Sequence, residues 1–320
     1  MWIKKSGIIL LLAVSFTLGC ESIKTRSQIK DGQQPPVVQI KELEPGVDLS
    51  DETAVEVKTK EVPKIGLIFG PGSVRALAHS GVVDAFQQEK VPVQSIIGLG
   101  WGALVGGYYA SEGNVTEVQW QLSKLKKEDL VDRSLLSNKI ERKNVKEFVR
   151  NILPEPVRAK NISQFTIPFA CPSVSYMVGQ SVFKDSGSFE SVLDRCLPTP
   201  PVFSPDGVWM ADINAIEESI QYMKNKGVNL IVYVNVLGRG DLFEKSEIKD
   251  EPETALYWQQ VQRTHSRLSD LRNKYPELRE LSINVDRQRL LDVGNLRLLP
   301  LAGRRAGVRL IEDLKEEFGF

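Results

Sequence analysis

Ile96-Ile97-Gly98-Leu99-Gly100-Trp101-Gly102-Ala103-Leu104-Val105-Gly106-Gly107-Tyr108-Tyr109-Ala110 is the stretch on which the fold turns. The apolar residues ending at Gly98 read as a short buried strand, Gln94 to Gly98. The small and apolar residues from Gly102 to Ser111 have helical spacing. Between them lies a sharp strand-to-helix turn. In many hydrolases such a turn holds a catalytic serine on strained backbone, with its oxygen clear of the sheet. Here Gly100 stands in the serine's place.

Outward from this turn, short apolar runs alternate with helical stretches, the pattern of a parallel sheet covered by helices. Strands are predicted at Ile65–Phe69, Gln94–Gly98, Thr166–Cys171, Val208–Met210 and Val228–Val236. The last of these is almost wholly apolar from Val228 to Val234, as a strand buried on both faces should be. Helices are predicted at Ala76–Glu89, Gly102–Ser111, Val115–Leu125, Asn144–Ile152 and Ile213–Lys226. Beyond them come a longer helix around Glu253–Asn273, a final strand over Leu281–Val285 and an amphipathic helix over Arg305–Phe318.

In the chain's 320 residues, 41 basic residues balance 41 acidic ones. No net field or basic stripe attracts nucleic acid, so a nucleic-acid partner is excluded. No Cys/His cluster has metal-ligand spacing, so no metal is expected. The N-terminus reads as an address. Lys4 and Lys5 precede an apolar run from Gly7 to Phe16, too short to span a bilayer. The run closes on Thr17-Leu18-Gly19-Cys20, which resembles a bacterial lipobox, although Thr17 departs from the usual Leu, Val or Ile. Residues 1–19 are accordingly read as a lipoprotein signal peptide and Cys20 as the lipid-modified first residue of the mature chain. Residues 20–62 are polar and proline-bearing, a flexible tether. The expected location is a lipid anchor in a bacterial cell envelope. Outside the cytoplasm Cys171 and Cys196 are able to form a lasting disulfide, the alternative being two separately buried thiols.

Two further segments belong with the turn. Gly70-Pro71-Gly72-Ser73-Val74-Arg75-Ala76-Leu77-Ala78-His79-Ser80-Gly81-Val82 leaves a strand and opens a helix, where backbone N–H groups converge on an anion. The run from Pro198 through Pro205 to Asp212 precedes another helix and strand. In order and spacing the three resemble the patatin-like phospholipase family. Arg75, Leu77, Ala78, His79, Gly81 and Val82 match its glycine-rich motif. Gly98, Gly102, Ala103 and Leu104-Val105-Gly106 match its serine elbow. The resemblance covers roughly Ile65 to Asn235. It implies a three-layer α/β sandwich with a mostly parallel central sheet over residues 63–320, and a family chemistry of lipid acyl-ester hydrolysis by a Ser-Asp dyad. It implies no cofactor.

The departures fall on the chemistry. Gly100 has no side chain to attack a carbonyl, and Trp101 follows where a small residue is usual. Ser73 and Ala76 replace glycines of the loop, and Pro71 has no N–H to donate. Counting back from Gly227 without a gap puts Ala211 at the dyad acid, while a one-residue shift puts Asp212 there. Glycine at position 100 accepts the elbow's backbone without strain while removing its reaction. Ser73 and Ser95 are weak substitutes as nucleophiles, lacking a base. His79 and His265, the two histidines, read as packing residues. The Gly72, Ser73, Val74 and Arg75 segment is the candidate ligand loop. Arg75 is open to holding an anionic head group or to ion pairing at the surface, and Trp101 to filling the old acyl pocket or stacking on a ligand. The expectation is a catalytically degenerate domain with a lipid-binding or scaffolding role at the membrane. A hydrolase with a non-standard nucleophile or an activated water, and a purely structural envelope lipoprotein, remain open beside it.

Overall fold

A computed structural model describes residues 62–133, 140–142, 144–199, 203–238 and 252–320. The signal peptide, Cys20 and most of the tether lie outside the described residues. The described strands are β1 Ile65–Phe69, β2 Val93–Gly98, β3 Val131–Arg133, β4 Ile140–Arg142, β5 Phe169–Ser175, β6 Ser181–Lys184, β7 Trp209–Ala211, β8 Leu230–Asn235 and β9 Leu278–Ser282. The helices are α1 Ala78–Gln88, α2 Trp101–Glu112, α3 Val115–Leu122, α4 Lys127–Leu130, α5 Val145–Ile152, α6 Glu155–Ala159, α7 Phe189–Cys196, α8 Ile216–Asn225, α9 Pro252–Lys274 and α10 Leu298–Phe318. A 3-10 turn over Ser73–Leu77 precedes α1.

The central sheet runs in the order β6-β5-β2-β1-β8-β9, with β7 also on β5. β1, β2, β5, β8 and β9 are parallel, whereas β6 and β7 pair antiparallel with β5. Strand residues alternate between two apolar layers. Leu67, Ile96 and Val232 face a core built with α1, α2 and α10. Ile68, Ile97, Ile231 and Tyr233 face a second core with α8 and α9. The chain therefore forms an α/β three-layer sandwich, and its inner strands read as unbroken apolar runs because both faces are covered.

Local chemistry sets the helix ends. The Asn114 side chain accepts from Thr116 and Glu117 N–H groups at the start of α3, Asn144 caps α5, and Ser188 caps α7. Helix α2 ends on Gly113 in the left-handed conformation. Helices α1 and α10 cross so closely that a Cβ on Gly81 would strike the Pro300 carbonyl, and one on Gly303 the Ala78 carbonyl.

Several boundaries differ from the sequence reading. The ladder of β5 begins at Phe169 rather than Thr166 and continues to Ser175. Pro172, which has no N–H for a ladder, lies where β5 leaves β2 and takes up β7. The final strand lies three residues earlier than Leu281–Val285. The closing helix starts seven residues before Arg305, because Pro300 falls in its first turn, where no N–H is needed. Strand β6 and helix α7 carry no long periodic pattern and were missed.

Candidate functional site

Strand β2 runs through Leu99 into the elbow, where Gly100 adopts φ 55° and ψ −120° and caps α2 without a side chain. Leu99 N–H donates to the Phe69 carbonyl at 2.9 Å, and Ala103 N–H to that of Gly100 at 2.9 Å. The turn is sharp because the backbones nearly touch: a Cβ on Gly98 would strike Ala103, and one on Gly102 the Phe69 carbonyl. A Cβ on Gly100 would lie 3.1 Å from Ile213 Cγ2, 3.1 Å from Thr199 Oγ1 and 3.7 Å from Pro71 Cβ. The three segments singled out in the sequence thus meet at this one position.

The glycine-rich loop leaves β1 and holds Ser73 at φ 50°, in the left-handed region that glycine occupies freely. Ser73 is buried, and among the described residues its hydroxyl has no hydrogen-bond partner. Gly70 N–H donates to the Val234 carbonyl at 3.0 Å, and Val74 N–H to the Leu290 carbonyl at 3.2 Å. An oxyanion hole needs N–H groups aimed together at an open position. Pro71 offers none, and that of Val74 is taken by the C-terminal segment.

Arg75 is neither a surface residue nor placed to hold a head group. It is fully buried, with Nε donating to the Gln288 carbonyl at 2.7 Å and Nη1 to the Leu237 carbonyl at 2.7 Å. A buried guanidinium is tolerated only when its fork is satisfied, and here it fastens the C-terminal segment to the end of β8. His79 plays a similar part. Its ring stacks on Phe69 at 4.6 Å and its Nε2 donates to the Gly70 carbonyl at 2.8 Å. Burial pushes its imidazole down to about 4, so it stays neutral and braces the loop. His265 Nε2 donates to the Gly238 carbonyl at 2.8 Å, and Ser95 Oγ to that of Pro168 at 3.3 Å.

At the acid position, β7 ends on buried Ala211, whose N–H donates to the Pro198 carbonyl at 2.8 Å. Asp212 is half-buried. Its Oδ1 accepts from Asn214 N–H at 3.0 Å, and its Oδ2 accepts a very close hydrogen bond from Ser181 Oγ on β6. The side chain set against Gly100 is that of the next residue, Ile213. Trp101 is fully buried, with Phe148 at 5.4 Å and Phe203 at 5.9 Å between ring centres. It fills the space beneath the elbow. Cys171 of β5 and Cys196 of α7 are joined in a disulfide. Among the described residues no cluster of three or more His, Cys, Asp or Glu is arranged to hold a metal. Sequence reasoning grouped the elbow, the loop and the Pro198–Asp212 run but missed Leu290, which takes the Val74 N–H, and Ser181, which holds Asp212, because each arrives from a distant segment.

A family model described as patatin-like phospholipase matches residues 67–229, which contain the loop, the elbow and Asp212. An uncharacterized NTE family protein of Mycobacterium bovis is 28% identical over 213 residues, covering 64% of this chain and 57% of its own length. The chain thus spans little more than half of that relative. The neuropathy target esterase sws of Drosophila melanogaster is 43% identical over 54 residues, 17% of this chain and 4% of that protein. Among solved structures, VipD from Legionella pneumophila overlays 80% of this chain and 67% of its own, at a TM-score of 0.39 and 12% identity. With the loop and the elbow inside the matched span and set on a mostly parallel sheet, this chain belongs to the patatin-like phospholipase family.

Proposed function

We propose that this chain is a bacterial envelope lipoprotein, anchored through lipid on Cys20, whose patatin-like domain binds lipid or acyl groups or organises partners at the membrane without hydrolysing esters. The elbow carries the reading. Gly100 keeps the backbone that presents a nucleophile but bears none, and Ile213 and Thr199 lie 3.1 Å from where a serine Cβ would stand. Acyl transfer needs an activated nucleophile and convergent donors for the oxyanion. The Val74 N–H is taken by Leu290, and Asp212 is engaged by Ser181 and Asn214. The anchor rests on the lipobox-like Thr17-Leu18-Gly19-Cys20. No described helix is long and apolar enough to cross a membrane. A mature chain with no acyl mass on Cys20 would remove the anchor from this account.

The test is turnover of a fluorogenic acyl ester and of phospholipid vesicles by the mature chain, beside Gly100→Ser and Asp212→Ala. Silence is expected from all three, since a serine at 100 is crowded by Ile213 and Thr199 and Asp212 is engaged by Ser181 and Asn214. Wild-type turnover lost in Asp212→Ala overturns the proposal.

One observation favours a second reading. Ser181 Oγ donates to Asp212 Oδ2, a serine–aspartate pair removed from the elbow. As a hydrolase, Ser181 Oγ would bond to the acyl carbon while Asp212 takes its proton and passes it to the departing alkoxide; water would then release the acid. Turnover that vanishes in Ser181→Ala, with a fluorophosphonate label mapped to Ser181, is the result this reading requires.

A further inference from the structure

The hairpin joining β5 to β6 points three apolar side chains into solvent in succession. Tyr176 is 58% exposed, Met177 72% and Val178 74%. Val182 and Val208 extend the patch. The other exposed apolar group on the described surface is Trp120 with Leu301 across a groove and Leu298 one turn away on α10.

The tip is held in shape. Met177 N–H donates to Ser175 Oγ at 3.3 Å, and Val178 and Gly179 N–H groups to the Ser175 carbonyl at 3.1 and 2.7 Å. Tyr176 N–H donates to the Val208 carbonyl at 3.1 Å, which binds the Asp206–Trp209 turn alongside. From Pro172 to Phe183 no residue carries a charge. Charges begin at the base of the hairpin: Lys184 Nζ lies 5.5 Å from the centre of the Trp209 ring and the Arg195 guanidinium 5.1 Å from it, while Asp185 follows Lys184 and Asp206 is exposed in the adjoining turn.

An uncharged apolar tip above an aromatic ring flanked by lysine and arginine is the layering of a membrane interface, with aliphatic groups in the acyl region and cations level with anionic head groups. We infer that the Tyr176–Gln180 hairpin is a lipid-inserting tip that docks this domain on an anionic bilayer surface. A protein partner fits less well, because a tip of three side chains and two flanking valines falls short of the roughly 800 Å² that each side gives a standard interface. The inference deepens the membrane reading above and is independent of whether any ester is hydrolysed.

Its geometry gives the docking a consequence. Ser181, the first residue of β6, bonds to Asp212, and Ile213 borders Gly100. An inserted tip therefore brings the elbow side of the sheet to the head-group layer.

The test is flotation of the full mature chain, made unacylated by Cys20→Ser, with phosphatidylglycerol/phosphatidylcholine vesicles and with phosphatidylcholine alone. Binding is expected to the anionic vesicles. It should fall at least tenfold in Met177→Asp/Val178→Asp, fall to the phosphatidylcholine level in Lys184→Glu/Arg195→Glu, and persist in Trp120→Asp. Both tip positions are exposed, and an unchanged circular dichroism spectrum and melting midpoint establish that the variant is folded. No binding by the parent chain, equal binding by the tip variant, or equal loss in Trp120→Asp overturns the inference. Flotation and ester turnover are separate readouts, so this inference and the proposed lack of hydrolysis fail separately.

Discussion

The elbow and the glycine-rich loop are sister structures, each a turn leading from one of two adjacent parallel strands into a helix, yet they have departed from the family pattern in opposite senses. At the elbow a glycine stands where a serine is usual, and it sits at φ 55° without strain. At the loop a serine stands where a glycine is usual, and it sits at φ 50° with its hydroxyl buried and unpartnered. One turn keeps its geometry with no side chain at its apex. The other has taken on strain while its Val74 N–H is bound by Leu290. The difference teaches that a turn's shape and the chemistry at its apex are set separately: the elbow's backbone is held by close packing at Gly98 and Gly102, not by a side chain at 100.

The largest test of this contrast concerns what braces each turn. The loop depends on Arg75, and replacing it with methionine leaves the Leu237 and Gln288 carbonyls buried without its donors. Arg75→Met should cost about 2–6 kcal/mol in urea unfolding, at about 1–3 kcal/mol for each buried carbonyl left without a donor. A loss below that of any elbow substitution would reverse the ranking.

The second test uses acid, because the loop has a buried titratable brace in His79. Its folded value of about 4 lies below its ordinary 6.5, so the unfolded chain takes up the proton first. Its stabilising contribution is full above pH 6.5 and falls by about 3 kcal/mol as pH drops through 4. Asp194 works in the opposite direction. Burial raises its carboxyl from 3.8 to about 6, against the partial relief of Lys146, so it favours the folded state more as pH falls from 6. The acid loss should therefore be steepest in Asp194→Asn, read as urea midpoints between pH 7 and 4. A flat profile in that variant would mean that His79 does not brace the loop through its neutral form.

The smallest effects carry opposite signs and sharpen the contrast most. Gly100→Ser should destabilise by about 1–3 kcal/mol, from positive φ and the approach to Ile213 and Thr199. Ser73→Gly should stabilise by about 1 kcal/mol, by relieving left-handed strain. Equal signs in calorimetry would show that the two turns are not mirror cases.

Much of the fold was legible in the sequence because buried parallel strands leave long apolar runs, and β1 and β8 stood out for that reason. The elbow and loop were legible because each is local, a handful of residues with glycines at fixed offsets. What was not legible is non-local. Nothing near Asp212 announces that Ser181 will hold it from a strand on the far side of β5. Nothing near Val74 announces Leu290. Arg75 was expected at the surface or on a ligand because arginine is seldom buried unless its donors are met, and the carbonyls that meet them lie 162 and 213 residues away. The cysteine pair was recognisable, whereas the helix carrying Cys196 was not, being eight residues between loops.

The close crossing of α1 and α10 bears on where this chain can be cut. The family match ends at residue 229, and an excised fragment would naturally stop near there. Yet Gly81 and Gly303 let two backbones meet with no side chain between them, and Gly307 continues the seam against Ala85 and Val82. Ending at the match boundary would strip β8, β9 and α10 from the sheet and bare a glycine-lined face of the motif helix that has evolved to touch main chain. The recognisable module and the folding unit are therefore different objects in this protein, and the shorter one is not a usable piece of the longer.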